Sequence, residues 1–179
     1  METMLLRIFQ GQVLLQCRFV LLASHEVNSA LLTGDTTRCF YALQNLLNAA
    51  ASISKTLWGQ RGEREEERKP IRESIGISND SPLKPIGIRN DFEHFDERLE
   101  KWWKKSKHHN YFDLNLSSRT GIVGVSEVDW FRNFDPQTGE VMFWGTDFNL
   151  NLLVKEIMVI LPKLTAEVRK PSWEMPPKL

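Results

Sequence analysis

Hydrophobic residues recur at helical spacing from about residue 4 to residue 32, and the pattern stops at Gly34, where a residue free to take positive φ can close a helix. Arg7, Gln10, Gln12, Gln16, Arg18, His25 and Glu26 interrupt the stretch, so it reads as a buried helix of a soluble protein rather than a signal peptide or a membrane span. Asp35 or Thr36 then caps a second helix over about 37–58. Phe40, Leu43, Leu47, Ala50 and Leu57 share one of its sides, while Asn45, Asn48 and Ser52 group at helical spacing. Residues 59–69 turn to Gly, Arg and Glu, a composition that cannot bury itself and stays in water as a linker or helix.

Pro70 fits the opening of a short helix that ends at Gly76. A second start signal follows in Asn79-Asp80-Ser81-Pro82, an N-cap residue before a proline at the first helical position, and the helix it opens is expected to reach about residue 105. The period then changes. Between 128 and 144, two stretches rich in Val, Phe and Trp flank Asp135-Pro136-Gln137-Thr138-Gly139, which reads as a β-hairpin. The last helix is expected from near Asp147 to about 168, kinked at Pro162 because a mid-helix proline removes one backbone hydrogen bond. Together these elements predict a mainly α fold, an up-and-down helical bundle with a β-hairpin inserted before the last helix. One domain covers 1–169, and the tail 170–179, with Pro171, Pro176 and Pro177, is expected to be loose.

Composition narrows the function. At 179 residues with 41% hydrophobic content, the chain can bury one ordinary core without metal or disulfide support. Lys+Arg and Asp+Glu both total 23, so no overall positive charge draws the molecule to nucleic acid, and any phosphate contact must come from a local site. Cys17 and Cys39 lie in apolar helical stretches without zinc spacing, which suits a reducing, cytoplasmic setting. There is no Gly-rich phosphate loop, no paired Cys or His ligand set and no serine-nucleophile motif, so most enzyme classes lose support, and neither a metal nor a cofactor is expected. Gly121-Ile122-Val123-Gly124 lacks the flanking strand and helix that phosphate binding needs. The basic stretch 101–107 beside His108-His109 reads as a solvated helix end complementing the helix dipole.

What remains is Arg89-Asn90-Asp91-Phe92-Glu93-His94 in the predicted fourth helix. It resembles the Arg-x4-6-His signature of the HEPN superfamily, helical-bundle proteins that include many metal-independent ribonucleases of toxin and antiphage systems. The resemblance extends to the polar residue after the arginine, Asn90, and to the motif's place on a long late helix. A second match, Arg18 to His25, is followed by Phe19 and lies within the very apolar first helix, so it fits the pattern less well. In the predicted fourth helix, Ile88, Phe92, Phe95, Leu99 and Trp102 form the core-facing stripe. At about 100° per residue, Arg89 and His94 point roughly 140° apart on the other side, with Asn90 and Glu97 between them.

Two readings of that surface stand side by side. As an ordinary exposed flank, Arg89 pairs with Glu93 and His94 with Asn90 at i, i+4, for tenths of a kcal/mol each. The resemblance implies instead a homodimer, in which a two-fold axis brings two Arg89 and two His94 into one cleft on RNA. RNA supplies its own nucleophile: the 2′-hydroxyl loses its proton and attacks phosphorus, and the 5′-oxygen leaves with a proton. Histidine suits both proton steps, its unperturbed pKa being about 6.5. Arginine stays charged and its planar fork holds phosphate oxygens. This assigns His94 to proton transfer, Arg89 to phosphate, and Asn90 to orienting either. Carboxylates at Asp91 and Glu93 repel the substrate unless paired, and Arg98, one turn beyond His94, is placed to neutralise one. Asn45 and Asn48 on the second helix are further candidates for the cleft, because polar groups in apolar helices need partners.

The expected activity is metal-independent endonucleolytic cleavage of RNA, leaving 2′,3′-cyclic phosphate ends, by a toxin or phage-defence effector with a cognate antitoxin. The alternative from another class is a non-catalytic HEPN-like dimeric module that docks a nucleotidyltransferase or another protein, which the neutral net charge favours. No membrane partner is expected. The aromatics of the hairpin, Trp130, Phe131, Phe134, Phe143 and Trp144, read as cross-strand and helix packing before they read as RNA-stacking groups.

Overall fold

Helix α1 spans Thr3–Thr33 and ends at Gly34, whose φ of 68° lets its N–H return to the carbonyl of Leu31. The computed structural model of the chain describes residues 1–84, 94–122 and 124–173. Asp35 caps α2, Thr36–Trp58, by accepting a 2.9 Å hydrogen bond from the Arg38 N–H. Both boundaries agree with the caps read from the sequence. Helix α3, Glu65–Ile75, begins five residues ahead of Pro70, because Glu65, Glu66 and Glu67 occupy its first turn where the helix dipole favours negative charge.

The helix expected to run from Pro82 is not present at residues 81–84. Ser81 and Pro82 sit in a turn closed by the Lys84 N–H on the Ser81 carbonyl, and the Ser81 hydroxyl donates 2.8 Å to Glu156. The N-cap chemistry is real but serves a turn, and Pro85 disfavours the helical region at Lys84. Among the described residues the segment forms helix α4 only over Phe95–Lys105. Residues 88 and 92 of the expected core stripe lie outside the described residues. Phe95 and Leu99 pack against the core, and Trp102 is buried.

Beyond α4 the chain builds more β structure than a hairpin. Strands β1, Arg132–Asp135, β2, Glu140–Phe143, and β3, Thr146–Asn149, form an antiparallel meander in the order β1-β2-β3. Trp144 and Gly145, with φ of 40° and 85°, join β2 to β3 in a two-residue turn of the kind that needs positive φ at both positions. Gly139 takes a φ of 75° at the first turn, the left-handed position that favours glycine, and an added Cβ there would also crowd the Asn151 side chain. The last helix, α5, spans Leu150–Val168 behind an Asn149 cap, three residues later than expected because β3 takes up Asp147.

The two-residue connection makes α1 and α2 antiparallel. Arg7 near the start of α1 bonds Glu167 near the end of α5, so α5 also runs antiparallel to α1. One continuous core joins these three helices to α3 and to the sheet, through Val20, Leu43, Leu57, Ile71, Val141 and Leu153 among others. The hairpin aromatics pack as expected: Phe131 and Phe143 are fully buried, and Phe131 lies 5.6 Å from the Phe95 ring and 5.7 Å from Trp102. Asp129, itself buried, accepts from Trp102 Nε1 at 3.0 Å and from the Ser106 hydroxyl at 2.5 Å. These contacts pin α4 to the sheet. Cys17 and Cys39 are buried free thiols, and burial pushes them up to about 12 and about 11, far from the thiolate form.

Candidate functional site

The head of α4 presents His94 to solvent. Its φ of −104° and ψ of 39° place it outside the helix as the N-cap residue, with no side-chain cap hydrogen bond. This corrects the reading of His94 as a mid-helix residue, and the angular separation of 140° derived from one continuous helix does not apply at that position. The His94 side chain is 54% exposed, and its Nδ1 lies 3.4 Å from Glu97 Oε1, one turn into the helix. A carboxylate beside one ring nitrogen of an exposed imidazole biases the ring's orientation only weakly, and the imidazole itself is accessible for proton transfer. Glu97 in turn lies 3.8 Å from Lys101.

Arg89, Asn90 and Glu93 lie outside the described residues. Arg98 stays on α4, its guanidinium 5.7 Å from the centre of the Trp144 ring, and Lys105, two turns later, lies 5.4 Å from the same ring. Asn45 and Asn48 line a groove of about 610 Å³ between α1 and α2, together with Gln16, Phe19, Leu22 and Tyr41. No residue of α4 contributes to that groove, so the structure sets these two amides in a different surface feature from His94.

Sequence reasoning did not find the cluster beneath the head of α4. Arg132 stacks over Phe95 at 4.7 Å and grips the Asp113 carboxylate with both Nε, at 2.7 Å, and a terminal nitrogen, while the Tyr111 hydroxyl donates 2.9 Å to the same group. The partners are 19 residues apart, held together where residues 112–115 run beside the start of β1. Burial pushes the Asp113 carboxyl up, but the Arg132 hydrogen bonds and charge outweigh it and hold the group below the usual carboxylate range. Burial, then the bond to Asp113, pushes Tyr111 up to about 12.

The signs give a pH dependence of stability. A depressed Asp113 contributes above its unfolded value, about 3.9, and the contribution is lost as pH falls through the folded value. A raised Tyr111 contributes below its unfolded value, about 10, and is lost as pH rises toward 12. Thermal melts should therefore show a plateau between these limbs. Asp113→Asn should flatten the acid limb and Tyr111→Phe the alkaline one; an unchanged profile in both variants would contradict these assignments.

The far end of α4 carries another feature. The exposed Trp103 ring stacks on His109 at 4.0 Å with a 29° tilt, and His109 Nε2 lies 3.0 Å from the Trp103 carbonyl. The helix end is solvated as expected, with Lys104 and Lys105 in its last turn and Lys107 and His108 exposed beyond it, and it carries this aromatic pair in addition. Among the described residues no group of three or more His, Cys, Asp or Glu side chains is arranged to hold a metal ion. Comparison of the chain with family models, with curated proteins and with solved structures finds no match.

Proposed function

We propose that the chain is a metal-independent RNA endonuclease of the HEPN type, acting in the cytoplasm as a toxin or phage-defence effector restrained by a cognate partner. The observation that carries this reading is His94: an exposed imidazole at the head of α4, beside Glu97, five residues after Arg89 in the Arg-Asn-x-x-x-His string. His94 moves the proton of the 2′-hydroxyl or of the leaving 5′-oxygen. Arg89 binds the phosphate and Asn90 orients the reacting groups. In the HEPN-like dimer a second copy supplies the same set.

The Trp103–His109 pair supports an RNA substrate. A stacked aromatic pair among lysines is what single strands use for base stacking and backbone attraction. At 1.5 Å and about 100° per residue it lies about 14 Å from His94 along the helix and on its opposite side, so a strand that touches both must pass round α4. Neutral net charge favours the other reading, a non-catalytic module that docks a nucleotidyltransferase or another protein. Total RNA incubated with micromolar protein in EDTA separates the two: cleavage that vanishes in His94→Ala supports the nuclease, and intact RNA supports the module.

A further inference from the structure

Helix α1 has two apolar faces, and the fold uses one. Val13, Cys17, Val20 and Val27 enter the core, whereas Met4, Ile8, Leu15, Phe19 and Leu22 remain 39–66% exposed. The sequence reading made α1 a buried helix. Only 28% of its most apolar 18-residue window is buried, and that window, with a mean hydropathy of 1.3, is also long and apolar enough to cross a membrane by length and composition.

The exposed positions follow i, i+4, i+11, i+15 and i+18, which on a helix fall within about 60° of one another. They form one ridge. With Leu5 and Tyr41 beside it, the ridge offers on the order of 700 Å² of apolar side chain, above the few hundred that monomeric proteins usually leave in water and near the ~800 Å² each partner buries in a stable complex. The α1–α2 groove of about 610 Å³ opens next to its C-terminal half, with Phe19 and Leu22 on one wall and Tyr41 and Ala49 on the other. At the middle of the ridge, Gly11 carries no side chain, and an added Cβ there would stand in open space.

A ridge beside a groove on one face, with a glycine at the ridge's centre where two helices can approach closely, suits a self-complementary contact through a two-fold axis. We propose that two copies of this chain pack α1 against α1, antiparallel, about an axis near residue 13. Leu15 of each copy then packs over Gly11 of the other, and Met4 and Ile8 lie against Phe19, Leu22 and the mouth of the groove. This interface is built from α1 and α2 and not from the Arg89–His94 segment to which the resemblance assigns a homotypic contact, and it stands without the ribonuclease reading.

Sedimentation equilibrium of the full chain, without RNA, tests it. The wild type should self-associate at micromolar concentration, as a dimer where α1 is the homotypic contact by itself and as a tetramer or larger assembly where the Arg89–His94 segments also meet. Leu15→Glu/Phe19→Glu should weaken association at least 100-fold with circular dichroism and melting unchanged, and should that variant fail to fold, Leu15→Gln is read in its place. Val159→Glu, on the exposed side of α5, should leave the association unchanged. A wild type that is monomeric at 100 µM, or an association state left unchanged in the folded α1 variants, would overturn the proposal; loss of one association step with a dimer remaining would support it and assign that dimer to the Arg89–His94 contact. So would flotation of a monomeric chain with vesicles of mixed zwitterionic and anionic phospholipid, which would give the ridge to a lipid surface.

Discussion

Replacing His94 with alanine should lower EDTA-resistant RNA cleavage by roughly 10²–10⁴-fold, the range that a positioned acid–base group contributes. The fold should not change. His94 makes no capping hydrogen bond, and its side chain is 54% exposed with a half-exposed carboxylate as its neighbour, so truncation removes little that stabilises α4. Arg89→Ala should cost a comparable factor, because a lost guanidinium leaves charge on the transition-state phosphate uncompensated. Circular dichroism and melting of both variants should match the wild type. Activity retained in both would remove these residues from the chemistry.

The largest stability effect is expected at a residue that touches no substrate. Phe131 is fully buried, and its ring lies 4.8 Å from Tyr111, 5.7 Å from Trp102, 5.6 Å from Phe95 and 6.3 Å from Phe143. Alanine there leaves a cavity between α4 and the sheet and should cost about 3–5 kcal/mol. At about 2–4 °C per kcal/mol for a chain of this size, the melting temperature should fall by roughly 6–20 °C. Phe131→Leu should lose clearly less. Because the same ring holds Phe95, the residue after His94, the variant should also weaken cleavage at temperatures where it is still folded. A melting curve within a degree or two of the wild type would show that this cluster does not hold α4 in place.

The parts of the fold that were legible in the sequence rest on local chemistry. Gly34 and Asp35 mark the α1–α2 junction within a residue because a left-handed stop and a side-chain cap act over one turn. The first turn of the meander follows from Asp135 to Gly139 in the same way, with the Gly139 N–H on the Asp135 carbonyl at 2.8 Å. Local chemistry also misled, at Ser81-Pro82, where cap and proline close a turn instead of opening a helix. Strand β3 was hidden because its four residues abut α5, and only pairing with β2 makes them a strand.

The candidate site divides along the same line. His94, Glu97 and Arg98 share one short segment and could be read together. The Trp144 ring beside Arg98 and the Asp113–Arg132 grip under Phe95 are long-range partners that no spacing rule reveals. The pattern of α1 showed that the helix is apolar around much of its circumference, but not that one side faces outward. Core and contact surface look alike until neighbours are placed.

The most direct measurement is end-group analysis of an RNA oligonucleotide cleaved in EDTA, run beside the same oligonucleotide carrying a single 2′-deoxy nucleotide at the cleaved position. Attack by the neighbouring 2′-hydroxyl predicts a 2′,3′-cyclic phosphate and a 5′-hydroxyl from the first, and no cut at the substituted position in the second. Ends bearing a 5′-phosphate, a cut at the deoxy position, or RNA left whole at micromolar protein would contradict the proposed function.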